Sequence, residues 1–174
     1  MANIPGVQQS ATLTLLIGMP GDWAGAPEQY LPTQGFIADV GGVIIGNVCW
    51  GVDGTNLVTN AKGSNTQLAG VVMRRSSTVK WNTDDVDTNL VIDESRSPEV
   101  CRNGTFMVKV AIVAGSLAVG KALFVHDTDG SFAVGVTVEP NYTATDYIVT
   151  ETTGSANDIC VISNTQTFTG ASIL

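Results

Sequence analysis

The stretch from Gly104 to Val138 constrains the fold most. Phe106, Val108, Val110 and Ile112 alternate with Met107, Lys109 and Ala111. That period of two puts one set on each face of an extended strand. A glycine-rich break from Gly115 to Gly120 follows, then Ala122-Leu123-Phe124-Val125, the turn signal Asp127-Thr128-Asp129-Gly130, and Phe132, Val134 and Val136 at period two again. Two alternating runs joined by an Asp-Gly turn predict a β-hairpin. The third run predicts a three-strand meander at the centre of one β domain.

The remaining strand signals agree with an all-β chain. Phe36 to Val40, a Gly41-Gly42 turn, Val43 to Trp50, an Asp53-Gly54 turn and Leu57-Val58 come first. Leu68 to Met73, Val79 with Trp81, Leu90 to Ile92, Tyr147 to Val149 and Ile159 to Ser163 supply further short strands, with Asn141 to Thr145 expected as a loop. About ten short strands between turns predict a single β-sandwich or barrel, jelly-roll-like topology included. The 19 glycines favour turns over helices.

Residues 1–34 differ in character. They hold Pro5, Pro20, Pro27 and Pro32, four of the six prolines, together with Leu13, Leu15, Leu16, Ile17, Trp23 and Tyr30. Prolines oppose regular structure, while this many large apolar residues oppose plain disorder. The expectation is an extended N-terminal arm over 1–34 that orders against a neighbour, with Trp23 and Tyr30 as anchors, and a β domain over 35–174.

Charge limits the partners. The formal net charge is −8, charged residues make up 14%, and Arg74-Arg75 is the lone basic pair. Nucleic-acid binding depends on phosphate contacts that such a chain cannot supply. No apolar run approaches the ~20 residues of a membrane helix, and residues 13–17 are too short a run for a signal peptide. Cys49, Cys101 and Cys160 lie far apart without a CxxC pair, which predicts buried free thiols in a protein assembled in the cytoplasm.

Motifs of chemistry fail at identifiable positions. Gly115 to Lys121 satisfies seven positions of a phosphate-binding P-loop, but Ala122 stands where a Ser or Thr must hold Mg²⁺, and a strand follows instead of a helix. Asp85, Asp87 and Asn89 begin like a calcium loop, but Leu90 replaces its glycine and Arg96 its terminal glutamate. His126, the sole histidine, stands beside Asp127 at a hairpin end with no nucleophile elbow. One histidine and three dispersed cysteines do not make a zinc site, and no carboxylate pair stands out for glycoside chemistry. Asn103-Gly104-Thr105 and Asn141-Tyr142-Thr143 match the glycosylation sequon, which matters only on a secretion route. The reading is a non-enzyme with no cofactor and no bound metal.

The order of features resembles the capsid cement (head decoration) proteins of tailed bacteriophages. The residues that carry it are Gly21-Asp22-Trp23-Ala24, Gly35-Phe36-Ile37-Ala38, Val43-Ile44-Ile45-Gly46, Trp50-Gly51-Val52-Asp53-Gly54 and Ala69-Gly70-Val71-Val72-Met73-Arg74. Asn103-Gly104-Thr105-Phe106, Val119 to Phe124, Asp129-Gly130-Ser131 and Ile159 to Ser163 complete it. The resemblance implies a structural virion protein on the capsid exterior that bridges neighbouring major capsid protein subunits, as a homo-oligomer, dimer or trimer. Pro20, Gly21, Asp22, Trp23, Ala24 and Tyr30 are the expected contact residues. The alternatives are a tail or head-completion protein and a carbohydrate-binding β module.

Overall fold

The computed structural model describes residues 19–24, 32–33, 35–74, 91–136, 140–152, 154–156 and 158–165. Among these residues there are thirteen strands and no helix. In chain order they are β1 (Pro32–Thr33), β2 (Ile37–Ala38), β3 (Val43–Ile44), β4 (Val48–Val52), β5 (Leu57–Thr59), β6 (Thr66–Val72), β7 (Val91–Ile92), β8 (Val100–Cys101), β9 (Thr105–Ile112), β10 (Ala122–His126), β11 (Phe132–Val134), β12 (Tyr142–Glu151) and β13 (Ile159–Ser163). The strand signals at Val79 and Trp81, and the acidic stretch 84–90, lie outside the described residues.

The second half of the chain closes into a five-stranded barrel in the order β10-β11-β9-β13-β12, with β12 returning to β10. Alternate residues fill its interior: Phe106, Val108 and Val110 from β9, Leu123 and Val125 from β10, Tyr147 and Val149 from β12, Cys160 and Ile162 from β13. Tyr147 is fully buried and meets Phe106 and Phe132 edge-on, with ring centroids 6.0 and 5.8 Å apart. Its hydroxyl donates to the Arg102 carbonyl at 2.5 Å, which satisfies a polar atom that burial would otherwise strand.

The expected meander is corrected here. The β10–β11 hairpin forms, with Phe124 opposite Ala133 and Val125 opposite Phe132. However, β9 lies next to β11 rather than β10 and runs parallel to it, pairing Phe132 with Val110 and Val134 with Ile112. The reason is the connection at 113–121, which is too long for a tight hairpin and carries the chain across the barrel end. Parallel neighbours require such a crossover. Residues 142–145, expected as a loop, are the first half of β12 and pair with Val125 and His126.

The first half of the chain forms a six-stranded sheet in the order β1-β8-β6-β4-β5-β2, plus the two-stranded ribbon β3–β7. At its centre this sheet is buried on both faces. Val48, Trp50, Val71, Met73 and Cys101 pack with the barrel core, whereas Ala38, Cys49, Val58, Val72 and Val100 pack with Val43, Ile45 and Ile92 beneath the ribbon. Neighbours in sequence therefore serve opposite cores. The near-continuous apolar run at 68–73 is what a strand covered on both sides requires.

The barrel and the sheet meet at the 127–130 turn. Val48 N donates to Gly130 O at 2.8 Å, Asn47 Nδ2 to Asp129 O at 3.0 Å, and Lys62 N to Asp127 O at 2.7 Å. Asn60, 7% exposed, ties the joint from inside: Nδ2 donates to Val48 O and Oδ1 accepts from Ile44 N, both at 2.7 Å.

Candidate interaction site

Although the barrel closes, β11 covers only part of one edge of β9. β9 pairs with β13 along 105–109, but its opposite edge pairs with β11 only at 110–112. Thr105 to Met107 would therefore face outward with unpaired backbone groups, the condition that native sheets cover.

Residues 19–24 cover it. Gly21 N donates to Met107 O at 2.8 Å, Met107 N to Asp22 O at 2.9 Å, and Ala24 N to Thr105 O at 3.0 Å. Gly21 O also accepts from Arg74 N at 2.9 Å, so one short segment is bonded to the barrel and to the end of the sheet. Met19 N donates to Asp22 Oδ2 at 2.7 Å and Asp22 N to Met19 O at 3.0 Å, which makes the turn that enters the seam.

Glycines make the fit possible. A Cβ on Gly46 would stand 2.6 Å from Pro20 Cβ, and one on Gly104 2.8 Å from Trp23 Cζ3. The Trp23 ring lies on Phe106 at a centroid distance of 5.3 Å, tilted by 33°. Of the six expected contact residues, the structure thus brings Pro20, Gly21, Asp22, Trp23 and Ala24 together along their own body. Gly21 is buried, Pro20, Asp22 and Trp23 are half-buried, and Ala24 is exposed. Tyr30 lies outside the described residues. The sequence reading missed the receiving side, Gly46, Gly104, Arg74 and Met107. Its one available signal was a glycine immediately before the strongest alternating strand.

Elsewhere among the described residues, the groups that could carry chemistry are held in structural contacts. His126 Nδ1 lies 3.2 Å from Asp129 Oδ1, and Ser131 lies within reach, the residue types of a hydrolytic triad. Here Ser131 Oγ donates to Asp129 at 2.7 Å rather than to the imidazole, so the carboxylate sits in the middle and nothing activates the hydroxyl. Burial pushes the Asp129 carboxyl up, but bonds from Ser131 Oγ, Ser131 N and the His126 ring outweigh it and hold it below the usual carboxylate range. Cys49, Cys101 and Cys160 are free and buried. Burial raises all three thiols, Cys101 to about 12, which keeps them protonated and poor nucleophiles. Gly115 to Gly120 forms turns ahead of β10, with no helix to face a phosphate. An open groove of about 580 Å³ over Phe36, Gly51, Leu68 and Ala69 carries Asp53 and Arg102 but no paired acid and base.

The sequence profile of proteins described as structural cement protein (E217 gp24/Pam3 gp6) matches residues 7–165. The chain belongs to this phage cement protein family. The cement protein is accordingly a structural component of the virion, associated with the phage capsid. The curated proteins hold no match to the chain. Among solved structures, a chain from the capsid of Myoviridae phage XM1 is similar at a TM-score of 0.62 and 15% identity, over 94% of this cement protein and 98% of that chain. The likeness establishes a shared fold for the barrel and sheet together.

Proposed function

We propose that this cement protein binds the outer surface of the assembled shell and bridges neighbouring major capsid protein subunits. The observation that carries this reading is the docking of residues 21–24, which root the leading segment in the barrel and the sheet at once. Force arriving along residues 1–18 would pass into both cores rather than peel a loose tail. The exposed sides of Asp22, Trp23 and Ala24 would meet the shell while their packed sides stay on the body, and Tyr30 would add a further contact.

The thermodynamics is linkage. A ligand that binds only the assembled shell stabilises it by mass action. A homo-oligomer, dimer or trimer, on a repeating lattice would add avidity, because each further contact becomes intramolecular. Assembly in the host cytoplasm fits the three reduced thiols.

Deletion of residues 1–18 tests the reading while sparing the docked segment. The truncated protein should keep its melting temperature and lose occupancy on shells that lack the native cement, measured by cosedimentation and electron microscopy. Unchanged occupancy would remove the leading segment from the mechanism.

A further inference from the structure

We infer that Asn164 is the positioning residue for the docked leading segment: its side chain fixes the 102–104 turn on which residues 21–24 are seated. That turn links β8 of the sheet to β9 of the barrel. The docked segment spans the same gap. It is bonded to Thr105 and Met107 on the barrel side and to Arg74 on the sheet side, where Met73 N donates to Glu99 O at 2.8 Å beside β8. Whatever sets the turn therefore sets the spacing of the anchors that hold the segment.

Asn164 stands half-buried just past β13. Its Oδ1 accepts from Gly104 N at 2.9 Å, which requires the oxygen end of the amide there. Nδ2 then donates to Arg102 O and Asn103 Oδ1, both at 3.0 Å, and lies 3.4 Å from Asp146 Oδ2. Asn164 N adds a bond to Gly104 O at 3.4 Å. One side chain thus grips every residue of the turn, and Arg102 O also takes the Tyr147 hydroxyl from the barrel core. The residue type is specific: an aspartate would offer acceptors alone to a site with one donor and three oxygens. The seat itself is tight. Gly104 is buried at φ 148°, and a Cβ there would stand 2.8 Å from Trp23 Cζ3 and 3.0 Å from Phe106 Cζ. A displaced Gly104 either presses on the indole or leaves it. Through Asn164 the end of β13 controls how firmly the leading segment is rooted; the consequence for the shell rests on the capsid-binding reading above.

Amide hydrogen exchange, followed by NMR on the full-length chain, tests this with Asn164→Ala, Asn164→Asp and, as a control, Asn60→Ala at the joint between barrel and sheet. Asn164→Asp keeps the acceptor for Gly104 N, loses both donors and brings a second carboxylate toward Asp146. In both Asn164 variants the amides of Gly21, Ala24 and Met107 should exchange about tenfold or more faster, with those of Ile44 and Val48 unchanged. Asn60→Ala should do the reverse. Unchanged exchange at Gly21, Ala24 and Met107, or equal acceleration at all these amides, overturns the proposal. Should Asn164→Ala not fold, Asn164→Asp against the Asn60 control decides it. Occupancy on shells lacking native cement is read separately. A loosened segment with lost occupancy supports both readings, whereas a loosened segment with full occupancy keeps the positioning role and overturns the part given to the leading segment on the capsid.

Discussion

At Gly130 the backbone takes φ 70° and passes so close to β4 that a Cβ would stand 2.1 Å from the Val48 carbonyl oxygen. The atom in the way is backbone, which has no rotamer to yield. Gly130→Ala should therefore destabilise the protein by about 2–4 kcal/mol, combining left-handed strain with overpacking. Denaturant unfolding would measure it; a loss under about 0.5 kcal/mol would mean that the joint between barrel and sheet is softer than its hydrogen bonds suggest. Half of this site was legible in the sequence. Asp127 to Gly130 announces a tight turn through its residue types alone. Its docking on Asn47 and Val48 was not, since that contact spans 82 positions between Asn47 and Asp129 and leaves no local pattern.

At the level of elements, alternation exposed β9, where Phe106, Val108 and Val110 are buried and Lys109 between them is exposed, whereas β13 is buried from Cys160 to Ser163 and showed only as a short continuous apolar run. β12 stayed half hidden. Its first residues, Tyr142 to Asp146, are half-buried or exposed, so their strand character rests on backbone pairing with β10 and prints no apolar period. The parallel placement of β9 beside β11 was hidden for a related reason: hydrophobic period fixes which face is inward, not which neighbour a strand takes. The docked segment 19–24 was visible as an aromatic among turn residues, while its partner edge was not. Trp23→Ala measures how much of that aromatic serves the body. Loss of the Trp23–Phe106 contact should lower stability by about 1–3 kcal/mol, less than a fully buried tryptophan because Trp23 is half-buried. Trp23→Phe should recover part of the loss. Unchanged melting of Trp23→Ala combined with lost shell binding would assign the ring to the capsid instead.

Across the whole molecule, the two cores are joined through shared strands, since Val48 and Cys49, Val71 and Val72, and Cys101 and Val100 divide between them. The sequence presents one β domain; the division into a closed barrel and a doubly covered sheet comes from pairings such as Cys101 with Val71 and Pro32 that no local window contains. Such sharing should make unfolding a single transition, and the buried ionisable groups give it a definite pH dependence. Burial raises Cys49, Cys101, Cys160 and Tyr147 above their ordinary values, in each case as the largest cause. For a thiol or phenol so raised, the unfolded chain loses its proton first. Stability is then fully present below the ordinary thiol value of 9.0 and declines as pH climbs above it, because the folded state binds more protons there. Thermal melts should be flat from pH 7 to about 8.5 and fall progressively beyond it. The thiols should resist a disulfide-exchange reagent at pH 8 in the folded protein and react together on unfolding. Staggered release, with Cys160 in the barrel reacting before Cys49 under the ribbon, would separate the two cores into independent units and break the single transition expected here.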